Sequence, residues 1–143
     1  MEMIMTKKEK FQVKDPISAL THFIGFLAVI PVFICFIDMA ETKSQIIGLT
    51  VFGISLMLLY GASTIYHTLK LSTEKTALLR RIDHMMIFVL IAGTYTPICV
   101  IALPQPLGFA LLTLVWGIAI VGIVVKMFWI TCPKWFSSVL YIG

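Results

Sequence analysis

Charge is what this sequence has least of. Only 13% of its 143 residues are Asp, Glu, Lys or Arg, against 59% hydrophobic residues, which is far from the composition of a soluble globular domain. That scarcity places the chain in lipid. Cysteine is sparse as well: Cys35, Cys99 and Cys132 are widely spaced and form no C-x-x-C pair, so the thiols read as small apolar fillers. A Cys35–Cys99 bridge is conceivable, because both residues lie toward the outer ends of their helices. No internal repeat or low-complexity tract is present.

What the chain has in abundance is uninterrupted apolar sequence. Charge-free runs extend from Pro16 to Ile37, from Ser44 to Leu69 and from His84 to Val125. A helix needs about 20 mostly apolar residues to cross a bilayer core, so the first two runs are one span each. The third is too long for one crossing at about 1.5 Å rise per residue, and Pro104-Gln105-Pro106 breaks it into a tight helical hairpin. The expected spans are Ile17–Ile37, Ser44–Tyr66, Met85–Leu103 and Leu107–Val125, and Trp135–Gly143 reads as the opening of a fifth helix. The predicted fold is therefore all-α, a multi-pass transmembrane bundle of four complete spans plus the start of a fifth. Residues 1–15 form a short basic tail, and residues 16–143 a membrane domain expected to be incomplete at its C-terminal end.

The placement of Lys and Arg sets the expected orientation, because basic residues close to spans are retained on the cytoplasmic side. Lys7, Lys8, Lys10 and Lys14 precede the first span; Lys70, Lys75, Arg80 and Arg81 lie between the second and third; Lys126 and Lys134 follow the fourth. Only Lys43 lies in the first link, and the Pro104 hairpin has none. A cytoplasmic N-terminus in a plasma-membrane protein follows. The net charge of +4 is explained by topology and anionic headgroups and gives no reason to invoke nucleic acid. A secretory signal peptide is the competing reading of the first segment, but the apolar run is too long for that template and no small-residue cleavage site follows it.

Threading these spans brings His22, His67 and His84 to one leaflet. Ionisable groups at membrane depth are costly and by default mark a functional site facing the bundle interior, although histidines near helix ends also reach the interface as amphipathic side chains do. Asp15, Ser18, His22, Gly25 and Val29 share one face of the first span, and Ser63 and His67 are one turn apart on the second. In the functional reading His67 is a metal ligand, Ser63 a hydrogen-bond donor to the reacting group, and Asp83 the carboxylate that orients or deprotonates metal-bound water. Imidazole suits zinc, whose catalytic sites hold three protein ligands and one open position. The alternatives stay open: Ser63 as a helix-packing contact, and Asp83 as a residue meeting a helix dipole or pairing with Arg80 or Arg81. His84 and Asp15 read as interface or cap residues. Gly93-Thr94-Tyr95-Thr96-Pro97 marks a kink inside the third span.

The run Asp15-Pro-Ile-Ser18-Ala-Leu-Thr21-His22-Phe-Ile-Gly25 resembles the first motif of hemolysin III proteins and of the wider progestin and adipoQ receptor family. The run Ser63-Thr-Ile-Tyr66-His67, then Ser72, then Arg81-Ile82-Asp83-His84 resembles the second, and Gly93-Thr94-Tyr95-Thr96-Pro97 resembles the bacterial branch. The resemblance implies a seven-helix bundle with a zinc ion near the cytoplasmic leaflet, held by one histidine of helix two and two of helix seven. His67 would then be the helix-two ligand, Asp83 would sit beside the zinc-bound water, and Ser63 would be the second-motif serine. His22 matches the first-motif histidine, a possible additional site without an assigned role. The helix-seven His-x-x-x-His motif has no counterpart here, so this chain alone is not expected to hold zinc tightly or to be active.

Three functions follow as expectations. The resemblance suggests zinc-dependent hydrolysis of a lipid amide or related bond, with the bilayer supplying the substrate; Asp83 would accept a proton and Ser63 steady the oxyanion. A non-enzymatic, receptor-like sensor of membrane lipid state is the second. A pore-forming cytolysin is the third, and no amphipathic insertion segment supports it.

Overall fold

A computed structural model describes residues 13–128. The expected fifth-helix opening at Trp135–Gly143, together with Cys132 and Lys134, lies outside the described residues. Within them the chain forms four helices, Pro16–Met39 (α1), Lys43–Thr68 (α2), Thr73–Pro97 (α3) and Leu107–Phe128 (α4), and no strand. All four are long and apolar enough to cross a membrane. α1, α2 and α4 agree with the expected spans to within a few residues.

Local chemistry fixes the helix ends. Pro16 opens α1, where its missing N–H is no loss. Thr42 caps α2 in a reciprocal box: its hydroxyl accepts from the Gln45 amide at 3.2 Å, and the Gln45 side chain accepts from the amides of Thr42 (3.2 Å) and Glu41 (2.8 Å). Ser72 caps α3, with Glu74 in the first turn favoured by the helix dipole. α3 therefore begins some three turns earlier than the apolar run suggests. Lys75, Arg80, Arg81, Asp83 and His84 lie on the helix and not in a loop, because a helix continues past the hydrocarbon wherever its backbone and cap favour it.

The stretch where a kink is expected, Gly93–Pro97, is α-helical. α3 passes after Pro97 into a π-helical turn, Ile98–Ala102, whose bonds reach five residues along, as in Leu103 N–H to Ile98 O at 3.1 Å. The next such bond would run from residue 104 to the Cys99 carbonyl, but Pro104 has no N–H. Gln105 Nε2 donates to that carbonyl instead, at 3.3 Å, while Gln105 Oε1 accepts from the Phe109 amide at 3.1 Å at the start of α4. One side chain thus serves two backbone groups that the regular helical ladders leave unpaired.

Each helix packs against its neighbours in sequence: α1 on α2, α2 on α3, and α4 on α3 and the π turn, with the Cα atoms of α1 beyond 8 Å from those of α3 and α4. The described helices form an open row. Lipid gives no hydrophobic drive to helix association, so small residues that admit close approach carry it. At the α2–α3 crossing Gly93 lies against Ser55, and Gly48 against Pro97. Between α3 and α4, Gly122 admits the ring of Phe88, which is buried with Ala92 and Ala119. Trp116 Nε1 donates to Thr96 Oγ1 at 3.0 Å across the same interface. Among the described residues Cys35 and Cys99 are both free, the first exposed on α1 and the second buried on the π turn; α1 does not reach that turn, so the conceivable bridge does not form.

Replacing Gly93 by Leu is expected to weaken folding in bicelles by about 1–3 kcal/mol, the usual penalty of overpacking, measured by titration with SDS. Gly117→Leu on α4, where a Cβ meets nothing within 4 Å, should stay within about 0.5 kcal/mol.

Candidate functional site

The last turn of a helix leaves carbonyls without intrahelical donors, and the end of α2 finds them in the residues that lead into α1. Asp15 N–H donates to His67 O at 2.8 Å and Lys14 N–H to Thr68 O at 3.3 Å. The Lys14 ammonium lies 3.5 Å from the centre of the Tyr66 ring, where a cation–π contact takes the place of a hydrogen bond. This strap brings Asp15 beside His67. Asp15 Oδ2 accepts from His67 Nδ1 at 2.9 Å. Asp15 makes no side-chain cap bond to α1, so its expected cap role gives way to a tie between α1 and α2.

One turn deeper the two helices meet again. His22 lies about two turns into α1 and Ser63 about one and a half turns back from the end of α2, so antiparallel packing sets them at one depth. His22 Nδ1 and Ser63 Oγ are 2.5 Å apart, and Ser63 is only 4% exposed. The His22 ring stands edge-to-face to that of His67, with centroids 5.5 Å apart, and to that of Tyr60 at 6.1 Å. Gly25 makes room for Tyr60, whose ring a Cβ would meet at 2.8 Å. Asp15, His22, Ser63 and His67 therefore form one polar cluster where the α1 entry meets the end of α2.

Asp83 and His84 stand apart from it. The α2–α3 register set by Ser55 at Gly93 and Gly48 at Pro97 carries Asp83 to the level of the last turns of α2. Among the described residues it makes no bond to His67, His22 or Ser63 and no ion pair with Arg80 or Arg81. The Arg81 Nε is buried without a hydrogen-bond partner among them. His84 Nδ1 donates to the Arg80 carbonyl at 2.6 Å, on its own helix. Sequence reasoning sets Asp15 on the face of His22 but gives it an interface or cap role, and it gives no role to Tyr60 or Tyr66, whose rings lie beside the cluster. The i, i+7 spacing of Asp15 and His22 is the available signal for Asp15.

Chemically, the cluster holds two imidazoles with one ring nitrogen each engaged. A carboxylate behind Nδ1 leaves His67 with a free Nε2 lone pair, the arrangement that metal-ligating histidines use. A catalytic zinc takes three protein ligands, and among the described residues no three His, Cys, Asp or Glu side chains come together to hold a metal. These residues fit one ligand position and not a whole zinc site.

A sequence profile described as "Haemolysin-III related" matches residues 11–143. The chain is 40% identical over 129 residues to "Hemolysin-3" of Bacillus cereus, covering 88% of this chain and 58% of that protein. It is also 40% identical over 136 residues to "Hemolysin-3 homolog" of Bacillus subtilis (strain 168), covering 92% of this chain and 63% of that one. The chain thus spans about six tenths of the length of these relatives. No solved structure matches it.

The geometry predicts which side chains are energetically coupled. A double-mutant cycle with Asp15→Ala and His67→Ala, read from unfolding in bicelles, should give about 1 kcal/mol of interaction. The same cycle with Asp83→Asn and His67→Ala should give less than about 0.5 kcal/mol.

Proposed function

This chain belongs to the haemolysin-III-related family, and from that premise we propose that it carries the α1–α2 part of a lipid-hydrolysing site, of the zinc-dependent amide hydrolase type, on the cytoplasmic side of the plasma membrane. The observation that carries the reading is the paired imidazoles: His67 backed by Asp15 and His22 against Ser63, where polar groups persist in a membrane chain only with partners. His67 would offer Nε2 as one metal ligand. Asp83, at the same level on α3, would be the carboxylate nearest a reacting water. A zinc ion polarises a carbonyl and acidifies bound water when present. The described residues would fill one of its ligand positions only.

What this chain does is bind and orient. Ile17, Leu20, Ile24 and Leu27 on α1 are exposed, an apolar surface suited to lipid, from which a lipid substrate would reach the cluster within the bilayer. The strap of Lys14 and Asp15 holds α1 against α2 and keeps His67 from turning. A second reading is a non-enzymatic sensor of lipid state, in which the cluster binds lipid without turning it over.

The chain and its longer Bacillus cereus relative are to be compared in nanodiscs, by elemental analysis and by fatty-acid release from long-chain amides. The relative should carry zinc and release fatty acid, and should lose both when the histidine matching His67 becomes Ala; the chain alone should do neither. Absence of release from the zinc-loaded relative would overturn the hydrolase reading in favour of the sensor. Liposome leakage that survives the His67 replacement would favour a pore.

A further inference from the structure

Most helical hydroxyls that form a side-chain hydrogen bond in this protein follow one habit. Ser55, Thr64, Thr94, Thr96 and Thr113 each donate to the carbonyl four residues earlier, the usual way for a hydroxyl to satisfy its proton in lipid. Ser63 breaks it. Its partner among the described residues is His22 Nδ1, across the helix interface.

A serine has a single proton to give. If His22 donated from Nδ1, the Ser63 proton would lack an acceptor at a site 4% exposed, and an unmet buried donor is strongly disfavoured. Ser63 therefore donates to His22 Nδ1, and the imidazole proton sits on Nε2. His67 is held the opposite way, because the Asp15 carboxylate can only accept from Nδ1–H. Two rings 5.5 Å apart thus present unlike atoms: a lone pair on His67 and an N–H on His22.

An apolar cleft of about 260 Å³ runs between α1 and α2, lined by Gly25, Ala28, Val29, Phe33, Phe52 and Tyr60 among others. Gly25 lies one turn from His22 and Tyr60 one turn from Ser63, so the cleft starts where the polar pair ends. The cleft lies between two helices long and apolar enough to cross a membrane, and an acyl chain lying in it would bring its polar end toward His22.

We propose that His22 Nε2–H is the hydrogen-bond donor to the carbonyl oxygen of a membrane lipid amide or ester whose acyl chain occupies the α1–α2 cleft, and that Ser63 is a positioning residue that fixes the His22 tautomer. This role rests on the lipid-substrate reading, but the tautomers do not, and they are measured separately. With its proton committed to His22, Ser63 leaves the donor role to the imidazole. His22 for the same reason is not a metal ligand: one nitrogen carries the proton and the other is occupied by the serine.

The test is a long-range proton–nitrogen correlation spectrum of the metal-free chain, labelled with ¹⁵N-histidine in nanodiscs at about pH 8.5, above the usual imidazole range. Expected are two histidines with the proton on Nδ1, His67 and His84, and one with it on Nε2, His22; His84→Gln and His67→Gln assign the signals. Ser63→Ala should convert His22 to a tautomer mixture and leave His67 unchanged, while Ser63→Thr, which keeps the hydroxyl, should preserve the wild-type pattern. A proton on Nδ1 of His22 in the wild-type spectrum, or a His22 signal indifferent to Ser63→Ala, overturns the tautomer assignment. Dodecanamide in the nanodisc should then shift the His22 Nε2–H signal downfield, with dodecane causing no shift and Ala28→Trp, which fills the cleft, abolishing the response. No shift with the amide overturns the donor role while leaving the tautomer assignment standing. Neither result depends on zinc or turnover, so failure of the hydrolase reading is told apart from failure of this one.

Discussion

Hydrocarbon offers no hydrogen-bond partner, and this constraint organises the chain from end to end. A backbone group in a spanning segment is costly unless it is satisfied within the protein or lies near a helix end where water reaches it. The consequence is visible at two places where the regular ladder fails. Pro104 removes a donor after the π turn, and Gln105 supplies one in its place. α2 ends with orphan carbonyls, and the amides of Lys14 and Asp15 meet them. The polar cluster descends from that second repair, because the strap that caps α2 is also what delivers the Asp15 carboxylate to His67.

The same constraint makes the hydroxyls informative. A serine or threonine in lipid needs an acceptor, and the carbonyl four residues back is the nearest. Ser63 turns away from that solution, so its contact with His22 is a feature of helix packing and not of local sequence. Thr96 shows the contrast: it keeps its back-bond to Ala92 and in addition accepts from Trp116. One hydroxyl stiffens a helix crossing; the other sets the state of an imidazole.

Packing carries the remainder. With apolar side chains equally at home in lipid and against one another, the α2–α3 and α3–α4 crossings depend on how closely the backbones approach. Gly93 against Ser55 and Gly122 against Phe88 provide that approach. The antiparallel register they set carries Asp83 to the level of the last turns of α2 without bringing it into contact with the cluster. His67 and Asp83 thus belong to one level of the membrane and to different helix faces.

Much of this was legible in the sequence, for a definite reason. Helix number, the hairpin at Pro104 and the apolar character of each span depend on the cost of charge and unpaired backbone in hydrocarbon, and residue order alone expresses that cost. His22, Ser63 and His67 stood out as polar residues at shared helical spacing, again a one-dimensional signal. The partners did not. That Asp15 bonds His67 and leaves its own helix uncapped, that Ser63 reaches His22, and that α3 begins at Thr73 well before its apolar run all depend on caps and on the rotation of one helix against another. Rotation is set by which small residues meet which large ones at the crossings, and those pairs become neighbours only when the chain folds.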